Sequence, residues 1–383
     1  MKSRKIVIAS TDISTGGLGS YVMTLLGGLK SQGWDVHLLI TNTRGDYFNE
    51  ISKSCHCYDL SSFPLSPKKV FMAADLVNSL MPDIVLMNNC ALLQYALPLI
   101  NPTIKPIAVL HSNDDRFYAI ASIFSRRVFR WVAPTIGLVE PIKVLINRKL
   151  HSRIKVIPHG VDCNKFFPER NERNAEHFQI VFIGFLGETK GAELLPEIFQ
   201  AVAEKLPNAF LTIVGDGPLR EHLRLEFAKR SIQSRVLMCG RTPWEQIAVM
   251  MRASHVLLLP TNLEGFGIVI IESMMCGVVP VVSRLAGITD QIVQHGKTGF
   301  LITPKHIEGF AEAIIELAHN DNLLETMSTN AQNAAAAEFS LDTMINRYEM
   351  LFAETEDRKI YSTHNIPFWF VEASYQALRK RFR

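Results

Sequence analysis

Short β-branched and aliphatic runs alternate with stretches of helical periodicity along most of this chain. Strands buried on both faces read as continuous apolar runs, so the pattern predicts parallel sheet covered by helices on each side. The first strand is expected over residues 5–9, with a loop over 10–19 and a helix over 18–32. Strands over 36–40, 84–87, 107–110 and 155–157 continue the series. Two of them end in polar residues: Asn88 and Asn89 follow one, and His111, Ser112 and Asn113 follow the next. The carboxyl ends of parallel strands are where open α/β sheets bind ligands.

Over 163–179 the composition turns charged and polar, including Pro168-Glu169-Arg170-Asn171-Glu172-Arg173, which reads as a linker. The alternation then restarts. Strands are expected over 180–183, 210–214, 236–239, 256–259, 279–282 and 300–302, with helices near 191–205, 218–230, 244–252 and from 268. The expected fold class is α/β, two doubly wound Rossmann-like halves facing across a cleft, and such clefts are favoured ligand sites. Helices near 307–319, 322–337, 341–356 and 368–382 close the chain. The last carries Phe368, Trp369, Phe370, Tyr375 and Leu378 beside Arg379, Lys380, Arg381 and Arg383. That composition suits a helix packed on the protein body, and equally a surface for anionic lipid.

Composition narrows the class. With 383 residues the chain is too long for one ordinary core, and at 48% hydrophobic and 20% charged residues it is not a disordered protein. A net charge of +3 gives no argument for a nucleic-acid partner, although Arg126, Arg127 and Arg130 cluster. Six scattered cysteines fit reduced thiols in a cytoplasmic protein. Cys55-His56-Cys57 has no second ligand pair at a zinc-like spacing, so no metal site is expected. The apolar run over 6–9 is too short for a signal peptide, and no stretch reaches the ~20 apolar residues of a spanning helix. The longest apolar region, 268–282, is interrupted by Glu272. A cytoplasmic protein is expected, soluble or peripheral on the inner face of the membrane.

The chemistry concentrates in Leu259-Pro260-Thr261-Asn262-Leu263-Glu264-Gly265-Phe266-Gly267-Ile268, with Glu272 beyond it, so that seven residues separate the two acids. A strand ends at Leu259, a loop presents Glu264, and a helix begins near Ile268. Backbone N–H groups at such a helix start favour a negatively charged ligand. Glu272, one turn in, can accept hydrogen bonds from the vicinal hydroxyls of a ribose. Taken singly, each acid reads as a solvated loop residue or a surface glutamate.

Together, the run resembles the E-x7-E donor motif of the large retaining glycosyltransferase family 4, whose fold is the two-domain GT-B architecture. The resemblance covers nearly the whole chain and is densest over 176–302. It implies that Glu264 contacts the donor sugar and Glu272 the ribose, while the backbone of Gly265, Phe266, Gly267 and Ile268 meets sugar hydroxyls and phosphate. Ile213-Val214-Gly215-Asp216-Gly217-Pro218 resembles the family's strand-to-helix turn, which puts Gly215 at the donor. Val156-Ile157-Pro158-His159-Gly160-Val161-Asp162 resembles its hinge, and Thr298-Gly299-Phe300, preceded by Ala286-Gly287 and Asp290, its closing turn.

Glu188-Thr189-Lys190-Gly191 resembles the family's Lys-Gly pair, whose lysine neutralises the donor pyrophosphate as the nucleotide leaves. The family usually places an arginine directly after the preceding strand's glycine. Here Gly184 is followed by Phe185, with Arg284 and Arg241 as candidates to supply the missing cation. Ser14-Thr15-Gly16-Gly17-Leu18-Gly19 resembles the family's Gly-Gly loop and makes Gly17 a donor-binding residue. His111 matches its cleft histidine near the reacting sugar. The resemblance divides the chain into an acceptor-side domain over 1–165, a donor domain over 176–340 and C-terminal helices over 341–383, with the segment near 360–383 packing back on the first domain. No Asp-x-Asp pair suited to a divalent cation is present, so leaving-group stabilisation falls to Lys190, helix dipole and backbone amides. The implied function is retaining transfer of a sugar, as a hexosyltransferase, from a UDP- or GDP-sugar to a hydroxyl of a saccharide or lipid-linked acceptor in surface polysaccharide or glycolipid synthesis. The nucleotide sugar is a substrate and no cofactor is expected. A nucleotide-sugar epimerase and a catalytically silent binding subunit share the scaffold and remain alternatives.

Overall fold

A computed structural model describes residues 4–14, 16–169 and 176–354. The expected terminal helix near 368–382, with its basic and aromatic residues, lies outside the described residues, as does Thr15. The chain divides into two compact units. Among the described residues, those up to Pro158 together with 344–354 form the first, and those within His159–Thr343 form the second.

The first unit is built on seven parallel strands: β1 (Lys5–Ser10), β2 (Asp35–Ile40), β3 (His56–Asp59), β4 (Ile84–Asn88), β5 (Lys105–Val109), β6 (Arg130–Ala133) and β7 (Ile154–Val156). Their order across the sheet is β3-β2-β1-β4-β5-β6-β7, so the winding reverses between β1 and β4. Six helices connect them: α1 (Gly17–Ser31), α2 (Phe48–Ile51), α3 (Pro67–Leu80), α4 (Ala91–Ala96), α5 (Asp115–Ser122) and α6 (Val139–Leu145). Ile6, Val7, Ile8 and Ala9 are fully buried, as a strand covered on both faces must be. Strands β3 and β6 were not expected from the sequence. His56-Cys57-Tyr58-Asp59 is polar because β3 is an edge strand, buried on fewer sides than its neighbours. Cap chemistry is local and legible: Ser66 accepts from the Lys69 N–H ahead of Pro67, and Asp114 accepts from the Arg116 N–H.

The second unit repeats the plan with six parallel strands: β8 (Phe178–Ile183), β9 (Ala209–Val214), β10 (Val236–Gly240), β11 (Val256–Leu259), β12 (Val279–Ser283) and β13 (Phe300–Ile302). Their order is β10-β9-β8-β11-β12-β13, and the reversal lies between β8 and β11. Helices α7 (Leu195–Lys205), α8 (Arg220–Lys229), α9 (Trp244–Arg252), α10 (Ile268–Met275), α11 (Ile307–His319) and α12 (Asp321–Glu338) cover it. The linker reading changes at its start. Phe166 is buried, the Val161 N–H donates to the Phe339 carbonyl, and the Leu341 N–H donates to the Val161 carbonyl, so 159–169 packs into the second unit.

The helix α13 (Leu341–Ala353) brings the chain back to the first unit. Tyr348, Leu351 and Phe352 are buried there. Glu349 receives Arg4 at 2.6 Å and the Trp34 indole N–H. Lys105 Nζ donates to the carbonyls of Phe352 and Glu354 at 3.2 and 3.0 Å, satisfying orphan acceptors at the helix end. Beyond it, the Glu354 carboxylate pairs with Arg130 at 2.6 Å and Lys155 at 2.9 Å. The arginine cluster noted in the sequence is therefore partly structural. Arg130 holds Glu354, Arg127 donates to the Leu97 and Ile100 carbonyls, and Arg126 is exposed. No described helix is long and apolar enough to cross a membrane.

Candidate active site

In an open parallel sheet the loops on either side of the winding reversal splay apart at the strands' carboxyl ends and leave room for a ligand. In the second unit those loops follow β8 and β11. They carry Lys190 and Glu264.

The β8 loop makes a short turn over Glu188–Lys190 and closes on Gly191 at φ +65. It is stitched to the β11 loop through one carbonyl. Thr189 O accepts from the Asn262 and Leu263 N–H groups and from the Thr261 hydroxyl, each at 3.0 Å. The Asn262 side-chain amide donates to Glu188 O at 2.7 Å. Gly191 permits this closeness, since a Cβ there would stand 1.8 Å from the Pro260 carbonyl oxygen. The outcome is an ion pair, Lys190 Nζ to Glu264 Oε1 at 2.5 Å. The carboxylate is 6% exposed and the lysine 28%, so the acid is held inside while the cation reaches solvent.

Gly267, at φ +96, caps α10, and a Cβ built on it would lie 4.0 Å from Glu264 Cδ. The start of α10 at Ile268 thus lies beside the Glu264 carboxyl. Glu272, on the second turn of α10, is 8% exposed and not the surface glutamate that it would be in an ordinary exposed helix. Gly265 and Gly267 are buried. Phe266 packs edge-on against His159 and Phe339, with centroids 5.0 and 5.9 Å away, which leaves its backbone rather than its ring for a ligand. Gly215 serves close packing: a Cβ there would fall 1.9 Å from the Gly184 carbonyl oxygen. Phe185 is 52% exposed. Arg241 and Arg284 are exposed directly after β10 and β12.

The same plan matches known proteins. Models for "Glycosyltransferase Family 4" and "Glycosyl transferases group 1" match residues 15–165 and 164–334. The chain belongs to glycosyltransferase family 4. An uncharacterized glycosyltransferase of Haemophilus influenzae is 25% identical over 347 residues, covering 88% of this chain and 96% of its own. The Escherichia coli UDP-Gal:alpha-D-GlcNAc-diphosphoundecaprenol alpha-1,3-galactosyltransferase is 27% identical over 215 residues, covering 53% of this chain and 54% of its own. Among solved structures, Anabaena HepE in complex with UDP and glucose superposes with a TM-score of 0.79 at 18% identity, covering 91% of this chain and 99% of that one. The neighbours share the fold, two parallel-sheet α/β domains of GT-B type.

In the first unit of this glycosyltransferase, the reversal lies between β1 and β4. Gly17 opens α1, exposed, after Gly16 at φ +142. Gly19 is buried, and a Cβ there would sit 2.1 Å from the Ser14 carbonyl oxygen, so the loop after β1 folds back tightly onto the helix start. His111 follows β5 and is partly buried. Its Nε2 lies 2.9 Å from Asn88 Oδ1. The Asn88 amide donates from Nδ2 to the Ala9 carbonyl, which turns Oδ1 toward the ring; His111 then donates from Nε2 and keeps Nδ1 as the lone-pair nitrogen. Burial lowers the His111 pKa from 6.5 to about 3, so the ring is neutral at pH 7.

Tyr21 stands edge-on to His111, with centroids 4.8 Å apart, and its hydroxyl lies 2.6 Å from that of Tyr348. Sequence reasoning did not single out Asn88, Tyr21 or Tyr348 for the site. Asn88 had a signal in its place at a strand's carboxyl end; the tyrosines had none. Cys55 and Cys57 place their sulfurs 3.7 Å apart, and among the described residues no group of three or more His, Cys, Asp or Glu could hold a metal ion.

Proposed function

We propose that this family member transfers a hexose, with retention of anomeric configuration, from a UDP- or GDP-sugar to a hydroxyl of a saccharide or lipid-linked acceptor. The observation that carries the reading is the Lys190–Glu264 ion pair, fixed by backbone bonds at the point where the second sheet reverses its winding. A partly exposed lysine suits a diphosphate, and the buried carboxylate it pairs with, beside a helix start, suits sugar hydroxyls. As the acceptor oxygen bonds to the anomeric carbon, the bond from that carbon to the phosphate oxygen breaks. Lys190 and the amides of Gly17, Gly267 and Ile268 stabilise the leaving diphosphate, whose oxygen takes the acceptor's proton. Glu264 orients the sugar, Glu272 holds the ribose, and neutral His111 hydrogen-bonds the reacting sugar. The other donor contacts, at Gly215, Gly265 and Phe266, are made by backbone.

In this reading the lysine and amides do the work of a metal, no cofactor takes part, and the enzyme acts in the cytoplasm, peripheral to the inner face of the membrane. The partial E. coli relative named for a diphosphoundecaprenol-linked acceptor supports a lipid-linked acceptor in surface polysaccharide or glycolipid synthesis. The test is a screen of UDP- and GDP-sugars with lipid-linked and free saccharide acceptors, reading nucleotide release with and without EDTA. Acceptor-dependent release that is indifferent to EDTA is expected; release abolished by EDTA would remove the metal-free mechanism. The exposed Phe185, on the same loop as Lys190 and standing where the family usually has an arginine, favours one other reading, a silent binding subunit. Nucleotide binding without turnover on any donor would select it.

A further inference from the structure

We infer that Tyr348 and Tyr21 are positioning residues for His111, so that helix α13 sets the geometry of a catalytic side chain as well as fastening the chain end. This rests on the reading that His111 acts on the substrate. Both tyrosines are buried, and a buried phenol keeps its hydroxyl hydrogen-bonded. Here the two hydroxyls lie 2.6 Å apart, joining α13 to α1. Burial keeps both as neutral phenols, since it raises their pKa well above the usual value. The Tyr21 ring then meets His111 edge-on at an interplanar angle of 63°. Two contacts of different kinds therefore bear on His111, Asn88 at Nε2 and Tyr21 against its ring. Asn88 fixes the position of one ring nitrogen; the Tyr21 ring, at a steep angle to the imidazole, bears on the tilt of its plane and therefore on the direction of Nδ1.

Fastening α13 does not call for this pair. Glu349 already ties the helix to Arg4 and Trp34, Lys105 caps its end, and Glu354 beyond it pairs with Arg130 and Lys155. The tyrosine pair is the link that leads from the helix to a polar group at the carboxyl edge of the sheet.

The experiment compares Tyr21→Phe, Tyr348→Phe, the double variant and His111→Gln in the full chain, using kcat, donor KM, Tm and the NMR signals of the His111 ring. Each single Tyr→Phe change is expected to lower kcat about fivefold with KM nearly constant, because a small misorientation acts on the transition state. The double variant should fall no further than either single one, since both break the same link. The His111 signals should shift and broaden in all three. Unchanged kcat and unchanged ring signals with a lowered Tm would make the pair a fastening alone and overturn the inference, as would multiplicative losses in the double variant. If His111→Gln turns over normally, the role given to His111 fails instead, and the ring signals still decide whether the tyrosines position it.

Discussion

The two units use one winding plan to hold opposite kinds of group. In the second, a full charge pair, Lys190 and Glu264, is locked by backbone hydrogen bonds onto the Thr189 carbonyl and by a glycine that no side chain could replace. In the first, Asn88, His111, Tyr21 and Tyr348 form a chain of neutral side chains, oriented by one another. The contrast follows from what each would meet. A diphosphate carries charge and needs a fixed cation, whereas a sugar hydroxyl needs a donor or acceptor that stays neutral and correctly turned. Backbone fixes the charged half; packing fixes the neutral half. Changes in the two regions should therefore fail differently.

The largest effect is expected at the charge. Lys190→Ala should lower transfer roughly 100- to 1000-fold and weaken nucleoside diphosphate binding, because it removes a charge-assisted contact to the leaving group. Kinetics with a calorimetric titration of UDP and GDP would show it, and a change confined to KM would demote the lysine to simple binding. Next comes the backbone lock. Gly191→Ala should cost about 3 kcal/mol of stability, through strain at φ +65 and collision with Pro260, measured by denaturant unfolding. Tolerance of alanine there would mean that the two loops are not held as described.

In the neutral region the effects are smaller. His111→Gln should lower kcat about tenfold, as loss of one oriented polar group does, with stability near pH 7 little changed. The most gradual effect is the acid response, spread over several pH units. The folded His111 pKa, about 3, lies below the ordinary 6.5, so the unfolded chain binds the extra proton between those values. Stability should consequently rise with pH through that window, be fully present above 6.5, and fall on acidification by at most about 1.4 kcal/mol per unit from this group. His111→Gln should flatten the corresponding part of the Tm against pH curve; identical slopes would show that the ring is not held neutral.

Much of the fold could be read from sequence because doubly buried parallel strands are unambiguous apolar runs. Helix α11 falls on 307–319 as expected, and β11 on 256–259. Polar β3 escaped because edge position, not composition, makes it a strand. At the site, the Glu264 loop and Lys190 were legible through ordered motifs, while their contact across 74 positions was not, since only the sheet order brings β8 beside β11. Gly215 and Phe266 carried motif signals, and the close backbone approach of one and the buried ring of the other are local features that the motifs did not reveal. Tyr21 and Tyr348, separated by 327 positions, could not have been paired from sequence, because buried tyrosines in helices look like any other core residue.

Glu264→Gln is the most direct trial of the charged half, since it keeps the shape and one acceptor oxygen while deleting the charge that pairs with Lys190. Acceptor-dependent nucleotide release should fall at least ~100-fold with the fold intact by circular dichroism and thermal melting. Release within about twofold of the unaltered protein would contradict the role given to this carboxylate and with it the donor site.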